Sequence, residues 1–315
     1  MPFSKKRFIK RTLWFLLIFF ILNNIIAIFH AYKFTHFDET ATTHFTPEGK
    51  TTGEKLKFIL FGAAMPRPKN TITPQQPYET VYIKSNVKLE SWYIKADNPK
   101  GTVLLFHGYQ ADKSSLVPAA EALFKMGYNV LLTDFMGSGG SGGNSTTIGV
   151  TEAQEVKDCF EYIKQKGEKK IYLYGNSMGS VAIMRAIDKF GIKPTAIMLA
   201  CPFGTFYKTV CVRFRLIGIP EFPVAGMLTF WGGVVNGFWA FGNNPEVYAK
   251  NITFPTLLMW GKKDNRVSRE ETDTIFANLN GPKTLKIYPE AGHTGYLETN
   301  PDEWIKSVSS FLSHN

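Results

Sequence analysis

The stretch Tyr172-Leu173-Tyr174-Gly175-Asn176-Ser177-Met178-Gly179-Ser180 constrains the fold more than any other part of the chain. It sets a serine inside G-x-S-x-G, between a strand-like run at 171–174 and a helix-like one at 180–189. A serine so placed sits on a sharp strand-to-helix turn with its oxygen exposed, the layout of a nucleophile elbow. Glycines two residues before and after it leave room where the chain crosses. Chance produces this pattern readily in a chain with 27 glycines, so its weight depends on the surrounding sequence.

That surrounding sequence is an alternation. Two runs, Val81-Tyr82-Ile83 and 89–94, flank Ser85-Asn86 and predict an antiparallel hairpin. Short, continuous apolar runs follow at 103–106, 130–132, 171–174, 196–200, 257–260 and 285–288. Runs of this length and purity suit central strands of a parallel sheet covered on both faces. Helix-like stretches lie between them at 116–125, 151–166, 180–189, 269–278 and 302–312. Strict alternation implies βαβ units with right-handed crossovers, and hence an α/β domain over 79–315. Ligands in such a sheet sit beyond the carboxyl ends of the strands, so informative residues should fall just after strands.

The N-terminus is of another kind. No charged residue occurs from Thr12 to Tyr32, about the length a helix needs to cross a bilayer. Lys5, Lys6, Arg7, Lys10 and Arg11 precede this run and Lys33 follows it, an arrangement that predicts a cytoplasmic N-terminus and the rest of the chain across the membrane. A cleaved signal peptide is the rival reading. It would carry a shorter apolar core and a small-x-small site, whereas the candidate end at Ala31 has Phe29 at minus three. A membrane anchor is therefore expected over 1–33, then a Thr-, Pro- and Lys-rich tether over 34–78 with one apolar island at 56–62. These basic residues also account for much of the net charge of +10, leaving 30 basic against 26 acidic residues without clustering, which argues against nucleic acid as a partner. Cys159, Cys201 and Cys211 show neither metal-ligand spacing nor a disulfide framework, so no metal site is expected.

Partners for Ser177 emerge by elimination. Of six histidines, His30, His36 and His44 lie in the anchor or tether and His314 is next to last. His107 and His293 remain, and only His293, just after the last strand, gives the order serine, acid, histidine. The base must be oriented by a carboxylate. Asp264 is the one acid between Ser177 and His293 in a loop directly after a central strand; the alternative role for it is a turn or helix cap.

With these residues in place, the chain resembles a serine hydrolase of the α/β-hydrolase superfamily from about Glu79 onward, and its anchor suggests a membrane-bound, esterase- or lysophospholipase-like branch. The likeness rests on Phe106-His107-Gly108-Tyr109, Asp134-Phe135-Met136-Gly137-Ser138-Gly139-Gly140-Ser141, the elbow with Gly175 and Gly179, Gly261-Lys262-Lys263-Asp264-Asn265-Arg266-Val267, and Ala291-Gly292-His293. It implies an oxyanion hole from the backbone N–H groups of Met178 and Tyr109, and a loop-shaping role for His107 and Gly108. Gly137-Ser138-Gly139-Gly140-Ser141-Gly142 also fits the dinucleotide pattern G-x-G-x-x-G. It does not open directly into a helix, and no cofactor is expected.

Between the sixth and seventh strands, the insertion at 203–252 holds eleven aromatic residues but only two acids, Glu221 and Glu246. In this fold such an insertion lies over the catalytic face, so it is expected to be a cap. Phe230, Trp231, Phe238 and Trp239 are its candidate pocket wall, and the alternative is that they only pack the cap onto the core. The expected substrate is a small-molecule or lipid acyl ester. Peptides, thioesters, acyl transfer and a non-catalytic binding role remain open.

Overall fold

The computed structural model describes residues 5–41, 51–216, 218 and 220–315. Parts of three expected segments therefore lie outside the described residues: 1–4 of the anchor, 42–50 of the tether, and Ile217 and Ile219 of the insertion. The chain opens with helix α1 (Lys5–Thr35), then β1 (Phe37–Asp38), α2 (Thr52–Phe61) and β2 (Met65–Pro66). The domain proper follows as β3 (Tyr78–Lys84), β4 (Lys88–Ile94), β5 (Thr102–Phe106), α3 (Val117–Lys125), β6 (Asn129–Thr133), α4 (Glu152–Gln165), β7 (Ile171–Asn176), α5 (Met178–Phe190) and β8 (Ala196–Ala200). The insertion contributes α6 (Phe206–Leu216), α7 (Val224–Asn236) and α8 (Pro245–Tyr248). β9 (Thr256–Gly261), α9 (Arg269–Asn278), β10 (Lys283–Tyr288), α10 (Tyr296–Thr299) and α11 (Pro301–Ser313) complete it.

Strands β3 to β10 form one eight-stranded sheet in the order β10-β9-β8-β7-β5-β6-β4-β3. β4 pairs antiparallel with β3 and with β6, and the other pairs are parallel. Every residue of β5, β6, β8 and β9 is buried, as the unbroken apolar runs require of strands covered on both faces. Alternate residues feed two cores. Leu104, Phe106, Leu131 and Leu173 pack with α4 and α5, whereas Val103, Leu105, Val130 and Leu132 pack with α3 and α11.

A buried ionic cluster fixes the loop after β6. Lys113, fully buried, donates to Glu90 Oε1 at 2.8 Å and to Asp134 Oδ2, and its backbone N–H donates to Asp134 Oδ1 at 2.7 Å. Gly140 N–H donates to the same carboxylate at 2.9 Å. Burial alone would raise the Asp134 pKa, but the charge of Lys113, its two hydrogen bonds and the neighbouring His107 together outweigh it and hold the group below its ordinary value.

The N-terminal segment is fastened to this domain. α1 is long and apolar enough to cross a membrane, and its residues 5–22 are exposed. Its second part packs along α7, where Trp231 Nε1 donates to Asn24 Oδ1 at 2.8 Å and Asn236 Nδ2 donates to Thr35 Oγ1 at 3.0 Å. Beyond the helix, Thr146 N–H donates to Thr35 O at 2.9 Å and Phe37 N–H to Asn144 O at 2.6 Å. Arg67 caps the carbonyls of Ser141 and Gly143, and Gly139 N–H donates to Pro68 O at 2.9 Å. The segment expected as a tether is thus pinned near both ends. The pinning bonds run largely through main-chain atoms of the 137–146 loop, which composition does not report.

Replacing Lys113 by methionine would leave the Asp134 carboxylate buried without its cation. Lys113→Met is expected to cost about 3–5 kcal/mol in unfolding free energy, read as a shift in denaturant midpoint. Because the folded pKa of Asp134 is depressed, its stabilisation is present above the ordinary value of 3.8 and is lost as pH falls through the folded value, so this difference should shrink in acid.

Candidate active site

β7 ends at Asn176 and α5 begins at Met178, which leaves Ser177 to make the turn with φ 50° and ψ −110°. A non-glycine residue held there costs about 1–3 kcal/mol and persists only where its surroundings impose it. Here Ser177 N–H donates to Ala200 O at 2.8 Å, and Ser180 Oγ donates to Gly175 O at 2.6 Å. The flanking glycines are required by close crossing. A Cβ on Gly179 would stand 2.2 Å from Phe106 O, and one on Gly175 would stand 2.4 Å from Ser180 N.

The loops after β9 and β10 bring Asp264 and His293 to this serine. Gly261 permits their approach, since a Cβ there would lie 2.1 Å from Gly292 O. His293 Nδ1 is 2.8 Å from Asp264 Oδ2 and His293 Nε2 is 3.0 Å from Ser177 Oγ. The Asp264 side chain is fully buried, and its other oxygen accepts the N–H groups of Arg266 at 2.7 Å and Val267 at 3.0 Å. A neutral imidazole that donates from Nδ1 to Asp264 presents Nε2 as the acceptor for the serine hydroxyl.

His107 is engaged elsewhere. Its Nδ1–H donates to Gly108 O at 2.8 Å and its Nε2 accepts Phe135 N–H at 3.0 Å, which ties the loop after β5 to the loop after β6. Burial lowers its pKa and keeps it neutral. Tyr109 follows in the same loop, its ring stacked on Phe34 at 4.8 Å and its hydroxyl donating to Phe34 O at 2.7 Å. Met178 opens α5, where the first N–H groups of a helix have no intrahelical acceptor.

Comparisons with known proteins agree with this fold. A family model described as serine aminopeptidase S33 matches residues 97–219. A solved esterase of Pyrococcus furiosus is 27% identical with a TM-score of 0.67, covering 79% of this chain and 96% of its own. The chain has the α/β-hydrolase fold. An esterase of Exiguobacterium antarcticum, 19% identical, shares the fold with a TM-score of 0.58 over 75% of this chain and 100% of its own. Among sequences, the uncharacterised protein YqkD of Bacillus subtilis is 24% identical over 72% of this chain and 75% of its own.

Within this fold the serine opens into a cavity of about 550 Å³ lined by Ser177, His293, Gly108 and Tyr109. The insertion contributes Thr209, Val212, Arg213 and Leu216 of α6 to its wall. The expectation that Phe230, Trp231, Phe238 and Trp239 form that wall is corrected, since none of the four lines the cavity. Trp231 is held by the anchor helix instead, and Phe230 and Trp239 are exposed. Val212 and Leu216, four residues apart on one helix face, were the signal for the true wall.

Cys201, just after β8 at φ 43°, is a neighbour that sequence reasoning passed over. Its sulfur and the donor atoms of Asp264 and His293 lie within 4.8 Å of one another, but the two latter are already bonded together. Burial opposes a charge on His293, yet Cys201 and the Asp264 carboxylate outweigh it and raise the ring's pKa above 6.5. His293 takes up the serine proton only when neutral, and the raised pKa moves that form to higher pH. The rise of kcat/KM with pH should therefore have its midpoint above 6.5. Asp264→Asn is expected to lower turnover by roughly ten-thousandfold and to move the midpoint down, as a pH–rate profile would register.

Proposed function

We propose that the protein is a membrane-anchored serine hydrolase that cleaves carboxylic esters through an acyl-enzyme on Ser177. The observation that carries this reading is the bonded series Asp264, His293, Ser177 on a strained strand-to-helix turn. Ser177 Oγ attacks the ester carbonyl as its proton passes to His293 Nε2, and Asp264 stabilises the resulting imidazolium. The N–H groups of Met178 and Tyr109 receive the oxyanion. The ester C–O bond then breaks, the leaving alcohol takes the proton from His293, and water attacks the acyl-enzyme by the same route in reverse roles to release the carboxylate.

The packing of α1 supports membrane anchoring. Its uncharged run, 12–32, overlaps the part that lies along α7, so α7 shares the level of the outer half of the span. α7 itself carries no charged residue, and Phe230 and Val234 on it are exposed. Asn24, an expensive residue in lipid, is satisfied by Trp231 and by its own back-bond to Phe20 O at 2.9 Å. The N-terminus is cytoplasmic and the catalytic domain lies across the membrane, on the positive-inside rule. With cap and bilayer adjacent, acyl esters of lipids are the favoured substrates.

The description of the matching family as an aminopeptidase favours a second reading, in which the same triad opens an aminoacyl amide. Purified protein in detergent should label at Ser177 with a fluorophosphonate probe and hydrolyse p-nitrophenyl esters in preference to aminoacyl p-nitroanilides. The reverse preference would favour the peptidase. Ser177→Ala should lower turnover by on the order of a millionfold and His293→Ala nearly as much. Undiminished hydrolysis by either variant would remove the mechanism.

The corrected cavity wall yields a separate expectation. Val212→Ala should shift the ranking of esters of different chain length by about 1 kcal/mol or more. Trp231→Phe, which removes only the bond to Asn24, should leave that ranking in place. Chain-length profiles of the two variants decide between the α6 and α7 faces as the acyl wall.

A further inference from the structure

The cavity beside Ser177 contains a cation without a counterion. Arg213 of α6 lines it, with its guanidinium 4.6 Å from the ring centre of Phe34 and 5.0 Å from that of Tyr109. Among the described residues Arg213 makes no ion pair and no hydrogen bond. Arg266, from the loop that carries Asp264, lines the same cavity, has no carboxylate partner among the described residues, and its charge acts against that of Arg213. Glu298 lines the cavity too, but pairs with neither arginine.

The Arg213 guanidinium is disfavoured in this partly enclosed space by its own desolvation and by the like charge of the exposed Arg266. An anion between them relieves both. The aromatic faces of Phe34 and Tyr109 hold the Arg213 side chain by cation–π contact and leave its N–H fork unused, and that fork matches the planar edge of an oxyacid. Tyr109 is also the residue whose backbone is assigned to the oxyanion hole. An anion on Arg213 would thus sit one side chain away from the reacting carbonyl.

We infer that Arg213, supported by Arg266, is the subsite for a negatively charged oxyacid group, phosphate or carboxylate, carried by the ester that Ser177 cleaves. The inference rests on the esterase reading above and adds to it the chemical class of the substrate and the residue that selects it.

The test uses the full chain in detergent and three dodecanoyl or dodecyl esters: dodecanoyl glycerol, its glycerol phosphate counterpart, and monododecyl succinate. The readout is the ratio of kcat/KM for each charged ester to that for the neutral one. Arg213→Gln should lower that ratio on the order of 10- to 100-fold for at least one charged ester. Arg213→Lys should restore part of it and Arg266→Gln should lower it less. Fluorophosphonate labelling of Ser177 verifies that each variant is folded. An unchanged ratio would overturn the subsite, and so would an equal loss on charged and neutral esters, which would place Arg213 in oxyanion stabilisation or in structure.

Direct binding separates this inference from the reading beneath it. Ser177→Ala protein is titrated with dodecyl phosphate and with inorganic phosphate. Weaker dodecyl phosphate binding when Arg213→Gln is added supports the subsite, and undiminished binding overturns it, whether or not any ester is turned over. Inorganic phosphate binding as tightly as dodecyl phosphate would overturn the assignment to a substrate group and give the site to a free anion. Absence of fluorophosphonate labelling in the wild type would strike the esterase reading alone.

Discussion

The contact on which the site depends is the crossing of α5 over the end of β5. Gly179 presses its Cα against the carbonyls of Phe106 and His107, closer than any side chain would allow. That closeness holds Ser177 at φ 50° and aims its oxygen out of the sheet. The constraint extends outward from there. His107 is locked between Gly108 O and Phe135 N–H, so the loop bearing Tyr109 and the loop starting at Asp134 move as one. Asp134 is neutralised in turn by Lys113. A sheet edge that would otherwise carry four independent loops thereby becomes a fixed frame around one hydroxyl.

The sheet and the residues brought to Ser177 were legible in the sequence for a common reason. Continuous apolar runs mark strands covered on both faces, and the side chains gathered at the site come from the loops that end those strands. Asp264 and His293 were found by position alone, and the structure places both within hydrogen-bond reach of their partners. The cap was read less well. Helical spacing across 230–239 suggests an apolar helix face, but α7 ends at Asn236 before Trp239, and periodicity does not say what covers the face. α1 covers part of it, through a contact between residues 207 positions apart, and the face turned to the cavity belongs to α6.

Arg213 was hidden for a different reason. In the sequence it is one basic residue among Lys208, Arg213 and Arg215, and it reads as solvated surface. The fold divides the three. Lys208 pairs with Glu246 at 2.9 Å and Arg215 with Glu221 at 2.6 Å, while Arg213 turns onto the aromatic pair formed by Phe34 and Tyr109. Only the missing partner distinguishes it, and a missing partner is a property of the fold.

Phe34 gives the N-terminal helix a place in the site itself. It belongs to the last turn of α1, yet its carbonyl accepts the Tyr109 hydroxyl and its ring supports both Tyr109 and Arg213. Burial raises the Tyr109 pKa, so the phenol remains a neutral donor and the bond is kept at any pH the protein meets. The distance from the membrane-length helix to the serine is therefore set by packed side chains and main-chain bonds rather than by a flexible linker. A free catalytic domain on a loose tether would sample many depths and orientations. Here one arrangement is selected, with α7 beside α1 and the cavity next to α7's neighbour α6. On the reading proposed above, an acyl ester in this cavity would set its chain against Val212 and Leu216 and its charge on Arg213 while its carbonyl meets Ser177.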